Sequence, residues 1–104
     1  MDNNELALAF AREVMGQSNA RINDNDDGYV KIGSLYVGNV AQTLEAVQRW
    51  CDKHNYQIEI SYIQGCWSIS IFNGAHCNEW ETDDFSEGLM TSCLEAERKR
   101  RGDE

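Results

Sequence analysis

Five acids crowd into residues 79–87, where Glu79, Glu81, Asp83, Asp84 and Glu87 surround Trp80 and Phe85. Two carboxylates held close could share a proton and act as acid and base, as in glycosidases or nucleases. The same run read as surface is a solvated face, with its last acids on the positive end of a helix. Read as a binding site, it is an acidic patch around an aromatic anchor for a basic protein surface.

Other residue sets have weaker claims to chemistry. Asn23, Asn25, Asp27 and Gly28 fall at the first, third, fifth and sixth places of a calcium loop, with Val30 at the apolar eighth. The twelfth place is Ser34, where such a loop needs a bidentate Glu, so a turn that satisfies its own backbone with Asn and Asp side chains is the expectation. Cys51 with His54, and His76 with Cys77, are four potential zinc ligands. Neither half has the tight paired spacing of a structural zinc site, and Cys51 also completes an apolar helical stripe. Cys77 as a nucleophile would need a base and an orienting group that adjacency to His76 does not supply. No phosphate-cradling glycine loop, nucleophile elbow or HExxH pattern occurs. The chain therefore reads as a non-enzyme without metal or cofactor.

Charge sharpens that reading. Eighteen acids face nine bases over 104 residues, a net charge of −9. Four of the bases, Arg98, Lys99, Arg100 and Arg101, sit in a basic tail at 98–104, and the rest of the chain, with five bases against sixteen acids, carries −11. Such a body repels nucleic acid, whose binding requires cations to displace counterions, and attracts basic proteins. The tail suits either the negative end of a helix or a docking role. Four cysteines with no secretory leader imply a reduced cytoplasmic setting, and no stretch approaches a membrane span.

The elements that must position these residues follow from periodicity. Leu6, Phe10 and Val14 recur every four residues in an alanine-rich helix over 3–15, with Asp2 and Glu5 at capping-box spacing and Gly16 at the exit. Residues 17–28 read as loop, followed by a short strand or ribbon over 29–37. Asn39 caps a second helix with stripe Val40, Leu44, Val47 and Cys51, ending near His54 and Asn55.

Residues 56–72 give the clearest signal. Apolar residues alternate on both sides of a Gln64-Gly65 turn, and pairing Ile63 with Cys66 sets Tyr62 opposite Trp67, Ile60 opposite Ile69 and Ile58 opposite Ile71. That apolar face must be covered by helices. The other face, with Gln57, Glu59, Ser61, Ile63, Cys66, Ser68, Ser70 and Phe72, is mostly small and polar, and is either solvated or an interface for a second copy. A polar connection over 73–83 leads to a last helix from Asp83 or Asp84 to about Arg101, with stripe Phe85, Leu89, Cys93 and Ala96. The whole is one α+β domain over 1–104, three helices on an antiparallel sheet of three to four strands in the order α-β-α-β-β-α, a layered sandwich.

The run Leu8-Ala9-Phe10-Ala11-Arg12-Glu13-Val14-Met15-Gly16, the capped helix over 40–50 entered from Tyr36-Val37-Gly38-Asn39, and the closing Cys93-Leu94-Glu95-Ala96 together resemble the phage ABA sandwich domain proteins. The resemblance implies a sheet between helical layers and a small phage or prophage accessory protein acting in the host cytoplasm. It implies no catalytic residue. The leading expectation is a counter-defence inhibitor of the anti-CRISPR kind. Its acidic surface, Glu79, Trp80, Glu81, Asp83, Asp84 and Glu87 with Asp24, Asp26 and Asp27, would fill a basic nucleic-acid groove on a host protein. Two alternatives are an oligomeric sponge for a nucleotide signal, needing Arg21, Lys31, Arg49 or Lys53 to gather in a pocket, and a structural or assembly role in the virion.

Overall fold

A computed structural model of the chain describes residues 3–24, 30–74 and 76–102. Helix α1 spans Asn3–Glu13, and three short strands follow: β1 Ile22–Asp24, β2 Val30–Ile32 and β3 Leu35–Tyr36. Helix α2 spans Val40–His54, strands β4 Gln57–Ile63, β5 Cys66–Phe72 and β6 Cys77–Thr82 follow, and α3 closes the chain over Phe85–Arg101. The fold is α+β, with two three-stranded antiparallel sheets in orders β1-β2-β3 and β4-β5-β6.

Each helix is specified locally. Asn39 accepts a hydrogen bond from the Gln42 backbone N–H through Oδ1 at 3.1 Å, and Asn55 ends α2 in the left-handed conformation. Gln42 does not return the bond to its cap; its Oε1 accepts from the Tyr36 N–H at 2.7 Å, which ties β3 to α2 instead. Asp84 caps α3 through the Glu87 N–H at 3.1 Å. Gly16, at φ +73°, lets the Gln17 N–H reach back to the Ala11 carbonyl at 3.0 Å and close α1. Asp2, placed as the α1 cap from sequence, lies outside the described residues.

Helix α3 is the hub of the core. It packs against α1, α2, β5 and β6, burying Leu89, Met90, Cys93, Leu94 and Ala96. Gly88 allows the closest approach, since a Cβ there would lie 2.4 Å from Thr82 Cγ2 and 2.9 Å from Ile69 Cδ1. Phe10 of α1, Val47 of α2, and Ile32 and Leu35 of the small sheet complete the interior. Val40, assigned to the α2 stripe from sequence, is exposed, and the buried stripe starts at Thr43.

The basic run at 98–101 is the last turn of α3, and its cations are engaged within the fold. Arg98 donates to Glu13 of α1 at 3.1 and 2.9 Å, and Arg101 reaches the same carboxylate. Arg100 grips the buried Glu97, and Lys99 donates to Asn78 of β6 at 2.6 Å.

The β4–β5 register is the one the alternation dictates, with Ile58↔Ile71, Ile60↔Ile69, Tyr62↔Trp67 and Ile63↔Cys66 around the Gln64-Gly65 turn, both of whose residues have positive φ. Coverage of its apolar face is narrower than that alternation implies. Ile69 and Ile71 are fully buried, whereas Ile60 is 38% and Tyr62 57% exposed. A helix is about 10 Å across and neighbouring strands lie about 4.8 Å apart, so α3, seated on β5 and β6, leaves the tip half of β4 overhanging. Two further differences concern elements. β6 occupies most of the stretch read as polar connection, and β1 lies within residues read as loop.

Candidate functional site

Strand pleating sorts the acidic segment into two sides. β6 pairs with β5 as Ser68↔Glu81, Ile69↔Trp80, Ser70↔Glu79 and Ile71↔Asn78. Successive side chains point to opposite faces, so Trp80 and Asn78 share the helix-facing side with Ile69 and Ile71, while Glu79 and Glu81 stand on the other side with Ser68 and Ser70. Trp80 is half-buried and is separated by the sheet from the carboxylates beside it in sequence.

The outer side of β4-β5-β6 is thus one flat polar face. One row across it reads Glu59, Ser70, Glu79; the next reads Ser61, Ser68, Glu81. With strands about 4.8 Å apart and alternate residues about 7 Å apart, the three carboxylates stand roughly 7 to 12 Å from one another. All three are exposed, none forms an ion pair among the described residues, and the three strands contain no Lys or Arg. Glu59 joins this face through strand pairing and was absent from the acidic set drawn from sequence; its signal was its place in the alternation of β4.

The remaining acids have other situations. Asp83 is exposed just beyond β6, and the Asp84 carboxylate is occupied as the α3 cap. Asp83, Asp84 and Glu87 border an open hollow of about 520 Å³ over Val37, Val40 and Met90. Asp24 ends β1 opposite Val30 in the small sheet, and Asp26 and Asp27 lie outside the described residues.

A second feature lies between the exit of α1, the β2–β3 turn and α2. A cleft of about 250 Å³ there is lined by Gln17, Ser34, Arg49, Trp50 and Lys53 over an apolar floor that includes Met15. Gln17 braces the turn: its Nε2 donates to Ser34 Oγ at 2.5 Å and its Oε1 accepts from the Ser34 N–H at 3.0 Å. Arg49 is held by Glu45 one turn away at 2.5 Å, a solvent-exposed pair of little energetic weight. Trp50 is 3% exposed, and its buried indole N–H has no hydrogen-bond partner among the described residues. Among the described residues no carboxylate lines this cleft, and Glu45 reaches its edge through Arg49. Of the four bases that a nucleotide pocket would draw on, Arg49 and Lys53 meet here. Lys31 instead lies over the Tyr36 ring at 5.2 Å, and Arg21 does not line the cleft.

The cysteines divide between core and surface. Cys51 and Cys93 are buried in α2 and α3; burial, then the charge of Asp52, pushes the Cys51 thiol up to about 11, and burial, then Cys51 and Glu97, raises that of Cys93. Cys66 and Cys77 are exposed. Among the described residues no three His, Cys, Asp or Glu side chains gather as a metal site; of the candidate zinc set, Cys51 is a core residue and Cys77 starts β6. Of the calcium-loop set, Asn23 pairs with Lys31 in the small sheet, while Asn25, Asp27 and Gly28 lie outside the described residues. No helix among the described residues is long and apolar enough to cross a membrane.

Comparison with family models, with curated proteins and with solved structures gives no match to this chain.

Proposed function

We propose that this chain is a non-catalytic phage accessory protein of the counter-defence kind, which binds a basic, nucleic-acid-handling protein of the host cytoplasm in place of nucleic acid. The observation that carries the reading is the outer sheet face, where Glu59, Glu79 and Glu81 stand exposed on three paired strands and form no ion pair among the described residues. Asp83 extends that charge beyond the end of β6. A flat face lets water reach every carboxylate, which suits recognition by a complementary basic surface better than proton transfer in a closed site. The resemblance to phage ABA sandwich domain proteins supports the biological setting.

The test is charge reversal where folding is not at stake. Asp84 is unsuitable because its carboxylate caps α3, whereas Glu59, Glu79 and Glu81 bear on neither helix nor core. The immobilised wild-type chain should capture a basic host protein at low salt and release it as salt rises. The Glu59→Lys/Glu79→Lys/Glu81→Lys variant, folded by circular dichroism, should capture none of it. Undiminished capture by the variant would reject this face.

The Arg49–Lys53 cleft favours a second reading, sequestration of a nucleotide through its phosphates. In a chain with twice as many acids as bases, a concavity lined by Lys53 and by Arg49, which a phosphate would draw from its exposed pair with Glu45, is suited to an anion. Nucleotide copurifying with wild type and lost from Arg49→Glu/Lys53→Glu would support it; nucleotide-free protein, and no binding when nucleotides are added, would reject it.

A further inference from the structure

The two edges of the β4-β5-β6 sheet are unlike. β6 carries Glu79 and Glu81, the charges with which edge strands are commonly guarded against pairing. β4 carries one charge, Glu59, and holds the three most exposed apolar side chains near the large sheet: Ile60, Tyr62 and Ile63, the last 71% exposed.

The backbone of β4 fixes what this edge can accept. The Asn73 N–H donates to the His76 carbonyl at 2.8 Å where β5 turns into β6, so in the alternation of an antiparallel ladder Ile71, Ile69 and Trp67 bond towards β6. Ser70 and Ser68 then bond towards β4, to Glu59 and Ser61. The N–H and C=O groups of Ile58, Ile60 and Tyr62 are left pointing out of the sheet, three donors and three acceptors in a row.

The geometry points to a two-fold dimer in which β4 pairs antiparallel with β4 of a second copy, centred on Ile60. That residue is the midpoint of the seven-residue strand, so the full length overlaps. Ile60 faces Ile60 of the second copy and Ile58 faces its Tyr62, joining all the outward groups in six backbone hydrogen bonds. Ile58, Ile60 and Tyr62 of both copies then meet on the helix side and cover one another, while Ile63 stands on the outer face opposite Gln57 of the second copy. Strand length and the acid pattern together select this register, since an axis on Ser61 shortens the overlap to residues 59–63. Centring the axis on Glu59 sets two carboxylates face to face, whereas centring it on Ile60 sets each Glu59 against Ser61. An isologous contact needs one strand complementary to itself, and β4 has that pattern. The result is a six-stranded sheet with helices on one side. This inference stands on the strand edge alone, whatever the acidic face binds.

Sedimentation of the full chain over a concentration series tests it. A monomer–dimer equilibrium is expected, tighter at higher salt because each copy carries −9. Binding of the acidic face to a basic partner has the opposite salt dependence, so the two ideas fail separately. Ser61→Lys and Ser61→Glu change only an exposed outer position. The first sets a cation against Glu59 of the second copy, twice per dimer, and should tighten association several-fold; the second should weaken it by a similar factor. Ile60→Lys sets two cations on the axis and should give a folded monomer. A wild-type monomer up to about 1 mM would overturn the proposal. So would a dimer that Ser61→Lys and Ser61→Glu shift alike, or one that survives Ile60→Lys.

Discussion

Replacing Glu13 by Gln should loosen the tie between the first and last helices by a calculable amount that vanishes in acid. The Glu13 carboxylate accepts from Arg98 at 3.1 and 2.9 Å and from Arg101, joining residues 85 and 88 positions apart. Its side chain is 23% exposed and that of Arg98 32%, so the contact is partly shielded from water. Charge-assisted hydrogen bonds in such settings are worth about 1.5–3 kcal/mol, and the outer pair with Arg101 adds little because it is solvated. Glu13→Gln keeps the shape and removes the charge, so about 2 kcal/mol should be lost at pH 7, a drop of roughly 10 °C in Tm for a domain of this size.

The sign of the pH dependence follows from the same contact. Hydrogen bonding to Arg98, opposed by burial and helped by Arg101, holds the Glu13 carboxyl below its ordinary value of 4.5. A carboxylate with a lowered folded-state pKa contributes its stability above the unfolded value and loses it as pH falls through the folded one. The two proteins should therefore differ most at neutral pH and converge as pH falls below the ordinary value of 4.5 and the wild-type carboxylate takes up its proton. Urea denaturation of both proteins at pH steps from 7 down to 3.5 reads the difference directly. A constant gap across that range, or none at pH 7, would mean that the Glu13–Arg98 pair does not stabilise the fold in this way.

Two further outcomes follow from packing. Gly88→Ala should lower stability by about 1–2 kcal/mol despite the better helix propensity of alanine, because the new methyl meets Thr82 and Ile69 inside van der Waals distance; a raised Tm would contradict this. Native protein treated with a thiol reagent should modify two cysteines quickly, Cys66 and Cys77, and spare Cys51 and Cys93 until denaturant is added. Peptide mapping that finds Cys51 or Cys93 labelled first would contradict the core assignment.

The parts of the fold legible in the sequence are those specified by neighbours. The β4–β5 register was legible because the alternation runs unbroken on both sides of a two-residue turn, and a slip of one would have turned Ile58, Ile60, Ile69 and Ile71 to the wrong face. The caps Asn39 and Asp84 act within three residues of themselves and were equally plain. β6 was not, because its inward positions include Asn78, a buried polar residue whose carbonyl is satisfied by Lys99 from another element.

The candidate sites show the same division. Period-2 alternation could have separated Glu79 and Glu81 from Trp80, had residues 77–82 been read as a strand; without β6 they formed one patch with the helix-capping Asp84. Arg49 and Lys53 are one helical turn apart and so visible as a pair, but Gln17 and Ser34 reach their cleft only through the α1 exit and the β2–β3 turn. The overhang of β4 depends on which strands α3 covers, a matter of tertiary placement that no local pattern encodes.

In the proposed function the outer face of the large sheet binds its partner by standing in for nucleic acid. Competition measures this most directly: the immobilised chain is loaded with its captured host protein and challenged with duplex DNA, beside the Glu59→Lys/Glu79→Lys/Glu81→Lys variant. DNA should displace the host protein from the wild-type chain, and the variant should hold nothing to displace. A host protein that stays bound under saturating DNA, or that binds the variant equally well, would contradict it.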